Sequence, residues 1–309
     1  MSEIKLYQGD CLELMKDIPS NRREYTMLEI NTIHFVDCIK GMQCIDDNSV
    51  DMVFTDLPYG TTRNVWDNII PLDKMWTEVE RIIKPRGNIL FFCQGMFTAK
   101  LMLSNEKLHR YNIVWNKVLP SGFLNANKQP LRTHEDIAVF YKEFGTYNPQ
   151  MRKGDKCHSK GNAVGHYNSE VANNANYGDY RVVETHGDLK YPESIWTFSK
   201  PHPSTAIHPT QKPIDLCRYA VRTFSNPDDL VVDFCCGSGS IPLAAALEGR
   251  RYIGIDNGIC YQSNSKYHNK SWADIASERI HTAIHHGVDI FETATTHKLT
   301  NTTNSKKLF

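Results

Sequence analysis

Apolar positions along the chain follow two rhythms. Short, nearly unbroken runs at 50–54, 88–93, 230–234 and 252–256 are rich in β-branched and aromatic residues. Runs of that length, bounded by turn residues, predict buried strands. Residues 111–118 and 137–141 give two further strand candidates. The second rhythm is helical. Met75, Val79 and Ile82 recur on one face of a helix predicted over 72–83, which Lys84-Pro85-Arg86-Gly87 ends. Helices are also predicted over 96–104, over 213–224 with Pro213 at the start, over 241–248, and from 272 to about 284. Strands alternating with helices predict an α/β layered sheet.

The pattern lapses in four places. Residues 143–205 are rich in Asn, Gly, His and Lys and poor in aliphatics, so they read as an insertion with little core of its own. Residues 257–271 read as a long polar loop. The tail after Gly287 is rich in Thr, Asn and Lys and reads as disordered. At the start there is an imperfect repeat. Gln8-Gly9-Asp10-Cys11-Leu12 resembles Phe35-Val36-Asp37-Cys38-Ile39, 27 residues later. The expected organisation is therefore a partial duplicate (1–27), a first half (28–142), the irregular insertion (143–205), a second half (206–286) and the tail (287–309).

Composition narrows the classes. With 309 residues, 40% hydrophobic and 23% charged, the chain can bury one large core or two modest ones. No apolar run reaches the roughly 20 residues of a membrane helix, and the first ten residues lack the basic-then-apolar pattern of a signal peptide. Nine irregularly spaced cysteines form no CxxC pair, which argues for a reducing cytoplasm and against both a disulfide framework and a zinc site. Formal net charge is zero, so a nucleic-acid partner would require a local basic face. Residues 107–132 hold Lys107, Arg110, Lys117, Lys128 and Arg132 and no acid, and 142–166 adds Lys142, Arg152, Lys153, Lys156 and Lys160 against Glu143 and Asp155; these could supply such a face or be ordinary solvated charges.

Two motifs carry chemistry. Asp233-Phe234-Cys235-Cys236-Gly237-Ser238-Gly239 reads as a strand running into a glycine turn and a helix N-terminus, where backbone passes close to a ligand and offers free N–H groups. Asp256 ends the next strand, 17 residues after Gly239, where a carboxylate can accept from both hydroxyls of a ribose. The pair suits an adenosine-bearing cofactor. By itself it does not separate S-adenosylmethionine from NAD, and a plain strand–turn–helix has the same look. The second motif is Asp56-Leu57-Pro58-Tyr59. Methylating an exocyclic amine needs its lone pair, which two acceptors on the amine hydrogens can localise. Asp56 and the Leu57 carbonyl supply two acceptors, Pro58 stiffens the turn, and Tyr59 offers a flat face to an extruded base. Taken alone, Asp-x-Pro-x-Gly is equally the composition of a β-turn.

Together these residues resemble the permuted β-type group of DNA amino-methyltransferases, whose (D/N/S)PPY motif precedes the target-recognition segment and the cofactor-binding half. The resemblance covers nearly all of 33–284. Ile207-His208-Pro209-Thr210-Gln211-Lys212-Pro213 looks like the group's HPTQKP element at the methionine end of the cofactor. Residues 249–256 look like its GRRFIGIE strand, and Val36-Asp37-Cys38 like its GDC element at the adenine. The resemblance implies a doubly wound, Rossmann-like, circularly permuted methyltransferase sheet with a small target-recognition insertion. It implies direct transfer from S-adenosylmethionine to a base flipped out of double-stranded DNA, and a short recognition sequence or a partner subunit such as a second copy. On this resemblance Asp56, Leu57, Pro58 and Tyr59 are the catalytic residues. Asp37, Cys38, His208, Lys212, Asp233, Cys235, Gly237, Gly239 and Asp256 hold the cofactor. Asp37 lies 19 residues before Asp56 and fits the adenine role better than Asp10. Leu57 replaces the first proline of the tetrad, and Cys235 the usual phenylalanine of the turn.

The initial Asp of the tetrad favours adenine N6, with cytosine N4 the alternative. A 5-methylcytosine route lacks its Pro-Cys nucleophile, because none of the nine cysteines follows a proline. A protein-glutamine methyltransferase would carry its glycine turn before the tetrad. An NAD(P)-dependent oxidoreductase would leave the tetrad and the 207–213 element unused. A silent DNA-binding protein would have no need of Asp56 and Tyr59.

Overall fold

The computed structural model describes residues 27–61, 67–154, 171–174, 178–181, 188–201, 208, 210–261, 265 and 267–287. The first copy of the repeat, with Asp10, and the tail after Gly287 lie outside these residues.

The elements follow in the order β1 (Thr32–Phe35), α1 (Cys38–Gln43), β2 (Val50–Asp56), α2 (Leu72–Ile82), β3 (Ile83–Cys93), α3 (Met96–Ser104), β4 (His109–Ser121) and β5 (Arg132–Phe140). Short strands β6 (Arg152–Lys153), β7 (Val171–Asn174), β8 (Gly178–Arg181), β9 (Leu189–Lys190) and β10 (Ile195–Thr197) come next. The chain closes with α4 (Ile214–Phe224), β11 (Leu230–Asp233), α5 (Ser240–Leu247), β12 (Arg251–Asp256) and α6 (Trp272–His286).

Eight strands form one sheet in the order β1-β12-β11-β2-β3-β5-β4-β10. The first five are mutually parallel, and β5 runs antiparallel to both β3 and β4. The two late strands β11 and β12 are thus inserted between the early strands β1 and β2. This is the permuted, doubly wound architecture that the resemblance implies. From β11 the strand order departs in both directions, and at such a switch point a crevice opens beyond the carboxyl ends of the strands.

Strand alternation sorts the core onto two faces. On one face Met52, Phe54, Leu90 and Phe92 pack with α4, α5 and α6; on the other Val53, Ile89, Phe91 and Cys93 pack with α1, α2 and α3. Because both faces are covered, the central strands read as apolar runs. Phe54, Phe91 and Phe92 are fully buried, each contributing roughly 1.5–3 kcal/mol by area.

Several details differ from the sequence expectations. The 84–87 segment does not separate helix from strand. β3 begins at Ile83, with its register against β2 shifting between Val50 and Met52. Pro213 is the N-cap of α4 and lies outside its first turn. The flanks of 143–205 are bound to the core. Trp196 on β10 is buried against Tyr219, β10 extends the sheet beyond β4, and the Asn148 side chain donates to the carbonyls of Arg222 and Ser225 at the end of α4. Among the described residues no helix is long and apolar enough to cross a membrane.

Candidate active site

The carboxyl ends of β2, β11 and β12 open into a cavity of about 480 Å³, lined by segments from both halves of the chain. Parallel pairing brings these halves together: Val231 and Val232 of β11 face Met52 and Val53 of β2. One turn further on, Thr55 Oγ1 donates to Oδ1 of Asp233 at 2.5 Å. The tetrad and the glycine turn therefore emerge side by side. Every residue expected at the site lines this cavity except Gly239. Gly239 is the left-handed N-cap of α5, φ 74°, and lies against Ala276 of α6, where an added Cβ would stand 2.7 Å from the alanine methyl. It serves helix packing.

One side of the cavity is built on three acidic side chains, Asp256, Asp37 and Asp233. Asp256 accepts from Gly237 N (2.8 Å, Oδ2) and from Gly258 N (2.7 Å, Oδ1). Each of its oxygens keeps a second lone pair, the capacity needed for a diol. Asp37 caps α1 through Oδ1, accepting from Ile39 N and Lys40 N at 3.1 Å each. Its strand β1 pairs with β12, Phe35 opposite Asp256, so the two acids sit at neighbouring strand ends. Asp233 is buried, and desolvation pushes its carboxyl up to about 8 against the hydrogen bonds from Thr55 and Cys235 N. It ties β2 to β11. Gly237 has φ 47°, a region that disfavours side chains, and the His208 ring packs beside it. His208 is buried against Trp272, ring centroids 4.5 Å apart, and desolvation lowers its pKa to about 3, so it is a neutral imidazole. Cys235 and Cys38 are hydrogen-bonded through their thiols. That contact lowers Cys38 and raises Cys235.

The tetrad side is a buried ionic chain. Asp56 Oδ1 accepts from the Tyr59 hydroxyl at 2.7 Å, and Oδ2 from Lys212 Nζ at 2.5 Å. Lys212 also lies 3.5 Å from Glu135 Oε2, and Glu135 Oε1 is 3.2 Å from Lys117 Nζ. Burial pushes the Asp56 carboxyl up, and Lys212 opposes it. Desolvation works against the Lys212 ammonium too, but Asp56 and Glu135 outweigh it and leave its pKa raised. Burial likewise disfavours the Glu135 carboxylate, yet Lys212 and Lys117 hold its pKa below the usual value. The Tyr59 ring packs on Phe97, centroids 5.3 Å apart, and burial beside Asp56 drives its hydroxyl pKa well up, so it stays protonated. Asp67, also buried, holds the backbone after the tetrad by accepting from Gly60 N (2.8 Å) and Thr61 N (2.9 Å).

Four basic side chains have partners that the sequence did not indicate. Lys212, expected at the methionine end of a cofactor, has its ammonium on the Asp56 carboxylate. Lys117, counted toward a basic face, is 3% exposed and paired with Glu135. Arg110 and Lys142 donate to backbone carbonyls of their own chain. Glu135 and Asp67 were not singled out from sequence. The one signal for Glu135 was the lysine- and arginine-rich stretch before it, which needs a buried counter-charge if any of its members goes inside.

A protein-family model described as DNA methylase (N6_N4_Mtase) matches residues 50–266. Among curated proteins, the type II methyltransferase M.BglII of Bacillus subtilis is 30% identical over 284 residues, covering 82% of this chain and 73% of the relative. The DNA adenine methyltransferase YhdJ of Escherichia coli K12 is 25% identical over 244 residues, covering 74% and 79%. Among solved structures, the M1.HpyAVI–SAM complex superposes with a TM-score of 0.51 at 19% identity, covering 81% of this chain and 98% of that one. The cytosine-N4-specific PvuII DNA methyltransferase gives 0.53 at 16% identity, covering 82% and 93%. At these identities the structures speak for the fold.

Proposed function

The chain belongs to the family of N6/N4 DNA methylases, and from that membership we propose that it transfers a methyl group from S-adenosylmethionine to N6 of adenine in double-stranded DNA. The observation that carries this reading is the Asp56 carboxyl, paired with the Lys212 ammonium at 2.5 Å in the same cavity as the Asp256 turn.

The residues present fit the cofactor. Asp256 retains acceptor capacity for the ribose hydroxyls, Asp37 and Cys38 stand at the adenine end, and the turn at Gly237 with His208 beside it leaves room for the rest. S-adenosylmethionine, when bound, supplies a methyl group on a positively charged sulfur. The protein's own part is to present the amine. Asp56 accepts one amine hydrogen and the Leu57 carbonyl the other, which turns the nitrogen lone pair out of the ring plane. Tyr59, fixed by its bond to Asp56 and by Phe97, offers its face to the flipped base. As the new N–C bond forms the amine sheds a proton, and Asp56 is the acceptor nearest to it. Burial raises the pKa of that carboxyl, and Lys212 opposes the shift by favouring the charged form. The insertion at 143–205, anchored at both ends on the core, is assigned to target recognition.

The choice of adenine is tested by incubating the protein with genomic DNA and methyl-labelled cofactor, then resolving nucleosides. Label in N6-methyladenine is expected. Label in N4-methylcytosine would overturn the base assignment, and label in protein alone would overturn the substrate.

A further inference from the structure

The β4–β5 hairpin overshoots the sheet on the side where the cavity opens. At the level of Asp56 the strands align as Phe92 on β3, Ile137 on β5 and Ile113 on β4. The hairpin continues past that level to the pair Ser121–Arg132, five residues further along β5, or roughly 17 Å at 3.4 Å per residue. Beyond lies its tip.

The tip is apolar and exposed. Phe123 is 77% and Leu124 84% exposed, and Leu119 and Leu131 are exposed beside them. Loop tips are ordinarily polar, and adjacent large apolar side chains so fully in water call for a partner. The tip is also built to hold its shape. Phe123–Asn125 form a 3₁₀ turn entered through left-handed Gly122, φ 86°, and closed by Lys128 N and Gln129 N donating to Asn125 O. Ser121 Oγ donates to Arg132 O across its base, and Lys200 Nζ donates to the Pro120 carbonyl. Val118, β-branched and at φ 63°, is held there by Asn116 Oδ1 accepting from its N–H. Backbone strain of this kind persists where surrounding structure enforces it.

The surroundings of the tip are cationic. Lys128 and Arg132 are exposed on it, Arg132 also bonding Gln94, and no acidic residue occurs from 107 to 132. An apolar point flanked by two cations matches a base stack flanked by phosphates, with apolar atoms for the stack and charge for the backbone. Extruding a base costs a few kcal/mol and leaves a gap in that stack.

We propose that Phe123 and Leu124 form a wedge that enters the duplex beside the target base and fills the space it vacates, with Lys128 and Arg132 on the adjoining phosphates. This rests on the reading of duplex DNA as substrate. The wedge lowers the cost of extrusion and takes no part in methyl transfer.

The test compares wild type with the double variant Phe123→Ser/Leu124→Ser on two duplexes carrying the sequence found by methylation mapping. One is fully paired. In the other an abasic site stands opposite the target base, so extrusion needs no wedge. The variant is expected to melt at the wild-type temperature. On the paired duplex it should lose ~10-fold or more in kcat/KM, and on the abasic duplex stay within about threefold of wild type. No loss on either duplex, or equal loss on both, overturns the wedge. Equal loss accompanied by a smaller sedimenting mass than wild type would show that the tip joins copies of the chain. If mapping with the wild type finds no methylated sequence, the assignment as a DNA methyltransferase itself has failed.

Discussion

The ammonium of Lys212 lies 2.5 Å from Oδ2 of Asp56, joining a residue before α4 to one that ends β2, 156 positions earlier. Lys212 thereby favours the charged form of the group proposed to accept a hydrogen from the amine. Replacing Lys212 by Met leaves Asp56 and Glu135 buried without their shared cation. The Asp56 carboxyl then rises further, and the active, ionised form is populated only at higher pH. Activity at pH 7 is expected to fall by at least about tenfold and to recover in part toward pH 9. Glu135→Gln removes a carboxylate that repels Asp56, at the cost of one support for Lys212, and is expected to move the acid limb of the kcat profile less. Superimposable pH profiles for wild type and the Lys212 variant would show that the ion pair has no part in the reaction.

The two glycines of the turn separate stability from binding. Gly239→Ala puts a methyl 2.7 Å from Ala276 Cβ in a left-handed residue. α6 must shift, and a loss of about 2–3 kcal/mol in stability is expected. Gly237→Ala meets only the His208 ring, at 3.4 Å, and costs about 1–2 kcal/mol. It lies in the cavity wall, so its larger effect is expected on cofactor affinity. Thermal melts and S-adenosylmethionine titrations of both variants check this. Equal effects of the two on binding would contradict the placement of Gly239 outside the cavity.

Much of this arrangement is legible from sequence where burial is two-sided. β2, β3, β11 and β12 are apolar runs because helices cover both faces. The turn residues that end β2 and β11 line one cavity, so the strand ends and the candidate site are legible together. Charged residues were harder. Lys117 and Lys128 look alike in a linear chain. Only the fold shows that one is sealed against Glu135 and the other exposed on a hairpin tip, because the partner that decides it is 18 residues away on the neighbouring strand. Trp196 was missed for a related reason. One aromatic within a polar stretch makes no periodicity, although it fills a place between β4 and α4.

Asp233 gives the protein a stability that depends on pH. Its folded-state pKa of about 8 lies above the unfolded value near 3.8, so the folded form binds more protons between these values. Its contribution is therefore fully present below about pH 4 and is lost as pH rises toward 8. Asp233→Asn keeps an acceptor for Thr55 and Cys235 N and removes the titration. The variant is expected to show a flatter melting temperature from pH 5 to 8 than wild type. An unchanged slope would assign the pH dependence to other groups.

On the proposed function, Asp56 presents the amine while a separate set of residues holds the cofactor. The most direct measurement is the single-turnover rate of methyl transfer to DNA by Asp56→Ala, together with its affinity for S-adenosylmethionine. A rate lower by ~100-fold or more is expected, with cofactor affinity within a few-fold of wild type. Transfer at the wild-type rate would contradict it and reduce Asp56-Leu57-Pro58-Tyr59 to a turn.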